Sequence, residues 1–186
     1  MNGWSLPESA VIGGTVYQIN ADYRDILDII SRLNDPEEAV QVRVYVALAL
    51  FYDSFDTMPG SDYGDAIRWM FDFISCGEAP GTHPRAKTID WDQDRAMIVA
   101  DINKVAGCEV RALPFCHWWT FVAWFNSIGE GQLATVVSIR EKLRKGKKLS
   151  DWERDFYRDN REKVDFKTKI TAEEEEILSR WIRKAR

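Results

Sequence analysis

Leu113-Pro114-Phe115-Cys116-His117-Trp118-Trp119-Thr120-Phe121-Val122-Ala123-Trp124-Phe125-Asn126-Ser127-Ile128-Gly129 is the stretch on which the fold turns. Six of the eleven residues from Phe115 to Phe125 are aromatic, and no Asp, Glu, Lys or Arg lies between Arg111 and Glu130. Aromatic side chains carry large apolar areas that are stable only out of water. The stretch is therefore the centre of a core or a surface held for a partner. Wound as a helix, it groups Trp118, Phe121, Val122 and Phe125, with Trp124 and Ile128 beside them. Cys116, Thr120, Ala123 and Ser127 fall on the narrow remaining strip. A helix apolar around most of its circumference is a central core helix, and the small strip would admit a close neighbour. An indole N–H buried at Trp118 or Trp119 needs an acceptor.

Outward from this block the helical period recurs. Tyr23, Ile26, Leu27, Ile30 and Leu33 share a face across Asp22–Leu33. Asp35-Pro36-Glu37-Glu38 reads as a helix start, with Asp35 as cap and Pro36 in the first turn, leading into a buried helix that runs to Tyr52. Tyr63, Ile67, Met70, Phe71 and Ile74 repeat the spacing across Asp62–Ser75, with Gly77 as the stop. The segment from Gly77 to Ile89, with its glycines, prolines and His83, is a loop. Ile98, Ile102 and Val105 share the next helix, which ends at Gly107. Leu133, Val136, Val137, Arg140 and Leu143 form a stripe over Gln132–Arg144. Ser150-Asp151-Trp152-Glu153 and Thr171-Ala172-Glu173-Glu174 are capping boxes. Near the start, Gly13-Gly14 between two β-prone runs predicts a hairpin over Ala10–Ile19. The expected class is mainly α: a compact multi-helix domain with a small N-terminal β-hairpin and a charged helical C-terminal arm.

Charge divides the chain. Residues 1–130 hold 9 Lys+Arg and 19 Asp+Glu, whereas residues 131–186 hold 16 and 11. The expected organisation is an acidic helical core domain with the hairpin, 1–130, and a basic helical C-terminal extension, 131–186. The acidic portion repels a phosphate backbone, so nucleic acid is not an expected partner. The longest apolar run, Val44–Tyr52, has nine residues, well short of the roughly 20 that span a bilayer, and no membrane partner is expected. The N-terminal MNGWSLPES lacks the basic and apolar regions of a secretory signal. Cys76, Cys108 and Cys116 are odd in number and lack metal-ligand spacing, which predicts buried, reduced thiols in the cytoplasm.

Few residues suggest chemistry. Asp90, Asp92 and Asp94 alternate as in a calcium loop, but Arg95 stands where a turn glycine is needed and Asp101 where a bidentate Glu belongs. These acids are expected to cap the helix that follows. Cys116 and His117 are adjacent, and on a helix their side chains diverge by about 100°. No P-loop, G-x-S-x-G, G-x-G-x-x-G or H-E-x-x-H is present. The expectation is no catalytic residue, no metal and no cofactor, with His117 packed against hydrogen-bonding partners. If the aromatic block is core, partner contacts shift to the C-terminal arm. There Trp152 and Phe156 lie four apart on a charged helix, and Ile177, Trp181 and Ile182 share a face with Leu178.

Three features together resemble a known family: Trp4-x-Leu6-Pro7 followed by the Gly-Gly hairpin, Asp22-Tyr23-Arg24 opening the first helix, and His117-Trp118-Trp119-x-Phe121. The chain is similar in these to the bacteriophage "gp fifteen" proteins, over about Trp4 to Arg144, with little likeness in the basic arm. That family is encoded in long-tailed phages and prophages near the tape-measure gene. The resemblance implies a non-enzymatic tail assembly chaperone in the host cytoplasm. Its partner would be the tape-measure protein, kept soluble while the tail tube assembles, with self-association along it as a further contact. The alternative is a minor structural tail protein retained in the virion. A small enzyme built around His117 and the Asp90–Asp94 acids is a third reading.

Overall fold

Gly13 and Gly14 sit at φ +56° and +84°, the two positive values a two-residue hairpin turn demands. They join β1 (Ser9–Ile12) to β2 (Thr15–Gln18) in antiparallel register, with Val11 opposite Val16 and Ala10 opposite Tyr17. One face of this ribbon, Ala10, Ile12 and Tyr17, is buried, while Val11 and Val16 point outward. The protein is represented by a computed structural model, which describes residues 4–78 and 87–167. Among them the hairpin is followed by eight α-helices: α1 (Tyr23–Leu33), α2 (Val40–Phe51), α3 (Tyr63–Ile74), α4 (Arg95–Ala106), α5 (Trp118–Asn126), α6 (Gln132–Arg144), α7 (Asp151–Asp159) and α8 (Arg161–Val164). The class is mainly α with one two-stranded sheet. No helix among the described residues is long and apolar enough to cross a membrane. Two compact units divide the chain, Met1–Thr135 and Val136–Arg186, with the boundary inside α6.

The first unit is closed by a junction between residues far apart in sequence. Asp22 caps α1 by accepting the Arg24 N–H at 2.9 Å, and its second oxygen accepts the Cys116 N–H at 2.9 Å. On either side the backbones pair: the Tyr23 N–H donates to the Cys116 carbonyl at 2.9 Å and the Trp118 N–H to the Ala21 carbonyl at 2.7 Å. Arg24 grips the Asp22 carboxylate with Nε and Nη2 and also donates to the Leu113 carbonyl at 2.9 Å. The Tyr23 ring stacks on Phe121 at 4.4 Å and 6°. His117 caps α5 and reaches the Pro7 carbonyl at 3.1 Å. Pro7 of the first motif thus meets the other two motifs of the family resemblance at one place.

Several expectations about phase and onset are corrected. Asp35 accepts the Glu37 N–H at 3.0 Å, but that closes only a local turn, because Ala39 is extended (φ −61°, ψ 140°) and α2 starts at Val40. Only the C-terminal half of α2 is buried, at Ala47, Leu48 and Phe51. In α3 the inner residues are Ala66, Met70 and Phe73, while Phe71 is 46% exposed. The Tyr52 hydroxyl donates to the Ala66 carbonyl at 2.8 Å, which fixes the inward face about one residue away from the stripe read by spacing. In α1, Ile29 joins Tyr23 and Ile26 inside, and Leu27, Ile30 and Leu33 are half-buried. Val105 is exposed on α4. Asp101 is buried beside Lys104 Nζ (2.7 Å) and accepts the Leu133 N–H at 3.4 Å, so a carboxylate from α4 serves the start of α6. A negative charge there meets the positive end of that helix.

Two predictions follow from turn and junction. A Cβ at Gly13 would collide with the Asp62 carboxylate, whereas one at Gly14 meets nothing within 4 Å. Gly13→Ala is therefore expected to lower the unfolding free energy by roughly 2–3 kcal/mol and Gly14→Ala by only about 1, read from denaturant midpoints. Burial pushes the Asp22 carboxyl up, but hydrogen bonds from the Arg24 side chain and from the Cys116 and Arg24 N–H groups outweigh it and hold it below its ordinary value. A folded pKa below the unfolded one adds stability that is complete above about pH 4 and is lost as pH falls through the folded value. Asp22→Asn should flatten the fall in stability below about pH 4, checked by urea titrations at several pH values.

Candidate partner-binding site

Among the described residues, His117, Cys116 and the Asp90–Asp94 acids are engaged in the fold. His117 is buried, its Nδ1 accepts the Trp119 N–H at 3.1 Å, and its Nε2 faces the Pro7 carbonyl at 3.1 Å. A carbonyl can only accept, so the ring proton sits on Nε2 and both nitrogens are committed to backbone. Of the three cysteines only Cys116 is buried; Cys76 is half-buried and Cys108 exposed, which corrects the expectation that all three are buried. Burial pushes the Cys116 thiol up to about 11, and such a group is a poor nucleophile at neutral pH. Asp90 accepts the Asp92 and Gln93 N–H groups at 3.0 and 2.9 Å, and Asp94 accepts the Asp90 N–H at 3.0 Å. Asp92 pairs with Arg95 at 2.7 Å. The acids organise the turn before α4: Asp94 is the N-cap residue by position, without a side-chain cap hydrogen bond to the helix, and the amides that Asp90 accepts lie in the turn itself. His83 lies outside the described residues, among which no group of three His, Cys, Asp or Glu side chains could hold a metal.

The aromatic block divides between core and rim. Trp118 and Phe121 are buried, and the two indoles find acceptors on the last turn of α3: Trp118 Nε1 donates to the Ile74 carbonyl and Trp119 Nε1 to the Phe73 carbonyl, each at 2.9 Å. The last carbonyls of a helix lack i+4 amides; that of Phe73 also accepts the Cys76 N–H at 2.9 Å. The small strip does not receive a neighbouring helix, since Ala123 and Ser127 are exposed. The helical reading of Cys116 and His117 is also corrected: the helix begins at Trp118, because His117 is its cap with extended backbone (φ −58°, ψ 137°).

An open groove lies between α1, α2 and α3. Ile30, Leu33, Asn34, Val40, Arg43, Val44, Phe71 and Ile74 line a cavity of about 450 Å³. Val40 and Phe71 remain 59% and 46% exposed on it. This explains the phase of the helices. Ile30 and Leu33 of α1 and Phe71 and Ile74 of α3 continue the apolar stripes past the core, and no described element covers them. Arg43 Nη1 donates to the Leu33 carbonyl at 2.9 Å, and its enclosed Nε has no acceptor. Sequence reading placed Phe71 in the core and did not single out Arg43. The signal was there: Arg43 is the one charged residue between Glu38 and Asp53.

The second unit carries part of the surface expected to bind a partner. Trp152 is 59% exposed and Phe156 half-buried on α7, whereas Ile177, Trp181 and Ile182 lie outside the described residues, as does the second capping box. The first capping box holds α7 firmly: the Glu153 carboxylate accepts the Ser150 N–H at 2.8 Å and hydroxyl at 3.0 Å, and pairs with Lys142 at 2.6 Å. Arg140, expected on an apolar stripe, is buried because its guanidinium donates to the Val164 and Lys163 carbonyls, both at 2.7 Å, and lies 4.2 Å from the Phe166 ring.

A structural His117 gives a clear expectation. His117→Gln cannot serve Trp119 and Pro7 with the same geometry and should destabilise the fold by about 1–3 kcal/mol, read from urea unfolding followed by tryptophan fluorescence.

Among curated proteins and among solved structures, nothing matches the chain. The family described as Bacteriophage Gp15 protein matches residues 5–166. The match runs past Arg144 through α7 and α8, so the likeness reaches further into the basic arm than its motifs suggest. The segment matched contains the hairpin, the junction, the groove and the capped helices of the second unit, and the chain belongs to the bacteriophage Gp15 protein family.

Proposed function

We propose that the protein is a tail assembly chaperone that binds the tape-measure protein and keeps it soluble while the tail tube forms around it. The observation that supports this reading most is the open apolar groove of α1, α2 and α3 on a phage protein whose titratable core residues are engaged in structure. Apolar rows exposed on either side of a groove mark a surface for contact, and an apolar helix face is an occupant that fits one. Trp152 and Phe156 offer a second contact from the other unit. The protein acts by contact rather than catalysis, in the host cytoplasm, where its partner is made.

A groove of this size supports only modest affinity for one helical segment. Many copies along one long helical partner, aided by contacts between copies, convert modest affinity into stable coverage that still dissociates segment by segment. That is what a chaperone needs if the assembling tube is to displace it.

Co-expression is the direct test. The tape-measure protein of the same phage should move from the insoluble to the soluble fraction when this protein is present. No gain in solubility would rule the chaperone out. Mass spectrometry of purified particles should find the protein scarce, whereas a fixed copy number per virion would favour a minor structural tail component.

A further inference from the structure

We propose that the groove reads an acid: its occupant is an α-helical segment whose apolar face carries one Asp or Glu that pairs with Arg43. The inference rests on the helix-binding reading above and adds the chemistry of the segment chosen. Among the described residues, Arg43 is the only charged side chain lining the groove, and the other lining residues are apolar apart from Asn34. Its guanidinium has one acceptor, the Leu33 carbonyl at 2.9 Å, and no carboxylate pairs with it among the described residues. Nε is shut away from solvent without an acceptor. A half-enclosed cation with no counter-ion among the described residues carries a desolvation cost that nothing nearby offsets.

The occupant can repay this cost in one way above others. Within a helix the backbone carbonyls are already used by the i+4 amides, so the acceptor must come from a side chain. A neutral amide would meet only the N–H groups that the guanidinium turns to the groove. A carboxylate meets those N–H groups and the charge together, through a charge-assisted contact suited to a guanidinium, while the enclosed Nε stays out of its reach. The surrounding residues 1–130 hold 19 acids against 9 bases, so the remaining faces of the occupant are neutral or basic, and the acid is wanted at one position only.

The test uses three designed, fluorescein-labelled helical peptides, each about 18 residues long, with leucines at i, i+3, i+4 and i+7 and lysines on the outer face. They differ at one residue bordering the leucines: Glu, Gln or Lys. Anisotropy titrations with the full chain should show the Glu peptide binding about tenfold tighter than the Gln peptide, with the Lys peptide weakest. Arg43→Met should erase the difference between Glu and Gln. Phe71→Ser, at an exposed position that leaves the core intact, should weaken all three. Equal binding of Glu and Gln peptides to the unaltered protein would overturn the proposal, as would a Glu preference that survives Arg43→Met. Absence of peptide binding together with Arg43-dependent self-association in sedimentation would also overturn it, assigning the groove to a second copy. The two readings fail separately. A tape-measure protein that stays insoluble sinks the chaperone but not the peptide result, while one solubilised equally by Arg43→Met sinks the acid-reading groove alone.

Discussion

The carboxylate of Asp22 is the point through which the first unit holds together. It ends the extended segment after the hairpin, starts α1, and receives the Cys116 N–H from 94 residues away. Because Tyr23 and Trp118 add backbone hydrogen bonds on either side, the starts of α1 and α5 are fixed against each other. From that fixed start, Trp118 and Trp119 reach the last carbonyls of α3. The groove inherits its walls from this arrangement. One wall is the far end of α1, and another is the end of α3, where Ile74 accepts an indole with its carbonyl and lines the groove with its side chain. A buried polar network of this kind adds specificity only when every member is satisfied, and at His117 both ring nitrogens are.

What could be read from the chain follows from which physical signals are local. The Gly-Gly turn, the Ser150–Glu153 box, the Gly107 stop and the helix over Gln132–Arg144 depend on a few neighbouring residues, and they stand as expected. The phase of α3 depends on what lies against it. Ala66-Met70-Phe73 and Ile67-Phe71-Ile74 are both acceptable helical stripes, and the neighbours decide between them: Phe73 lies against Phe51 and Trp119, and the Tyr52 hydroxyl donates to the Ala66 carbonyl. The late start of α2 has a similar cause, since the Asp35 cap is a local signal that the extended Ala39 interrupts. The groove was the least legible feature. It is made of residues that satisfy a core pattern and differ from a core only in what fails to cover them.

Family identity and the proposed partner surface are written in different places. Trp4-x-Leu6-Pro7, Asp22-Tyr23-Arg24 and His117-Trp118-Trp119-x-Phe121 mark the family, and the residues that can be followed through hydrogen bonds serve the junction. Such positions tolerate little change because each substitution leaves a buried donor or acceptor unmet. The groove is lined mostly by apolar side chains, with Asn34 and Arg43 the exceptions. A family fingerprint that lies in the architecture is therefore a poor guide to the partner surface. The aromatic block illustrates this: it is the densest apolar segment in the chain, yet its buried members hold α1 and α3 in place.

Hydrogen exchange with and without the tape-measure protein tests this division most directly. The account predicts that the amides of Tyr23, Cys116 and Trp118 exchange slowly in both states, as parts of a joint that opens only with the whole unit. The segments carrying Ile30–Leu33, Val40–Val44 and Phe71–Ile74 should gain protection when the partner binds. Protection gained at the junction while the groove segments stay unchanged would contradict it.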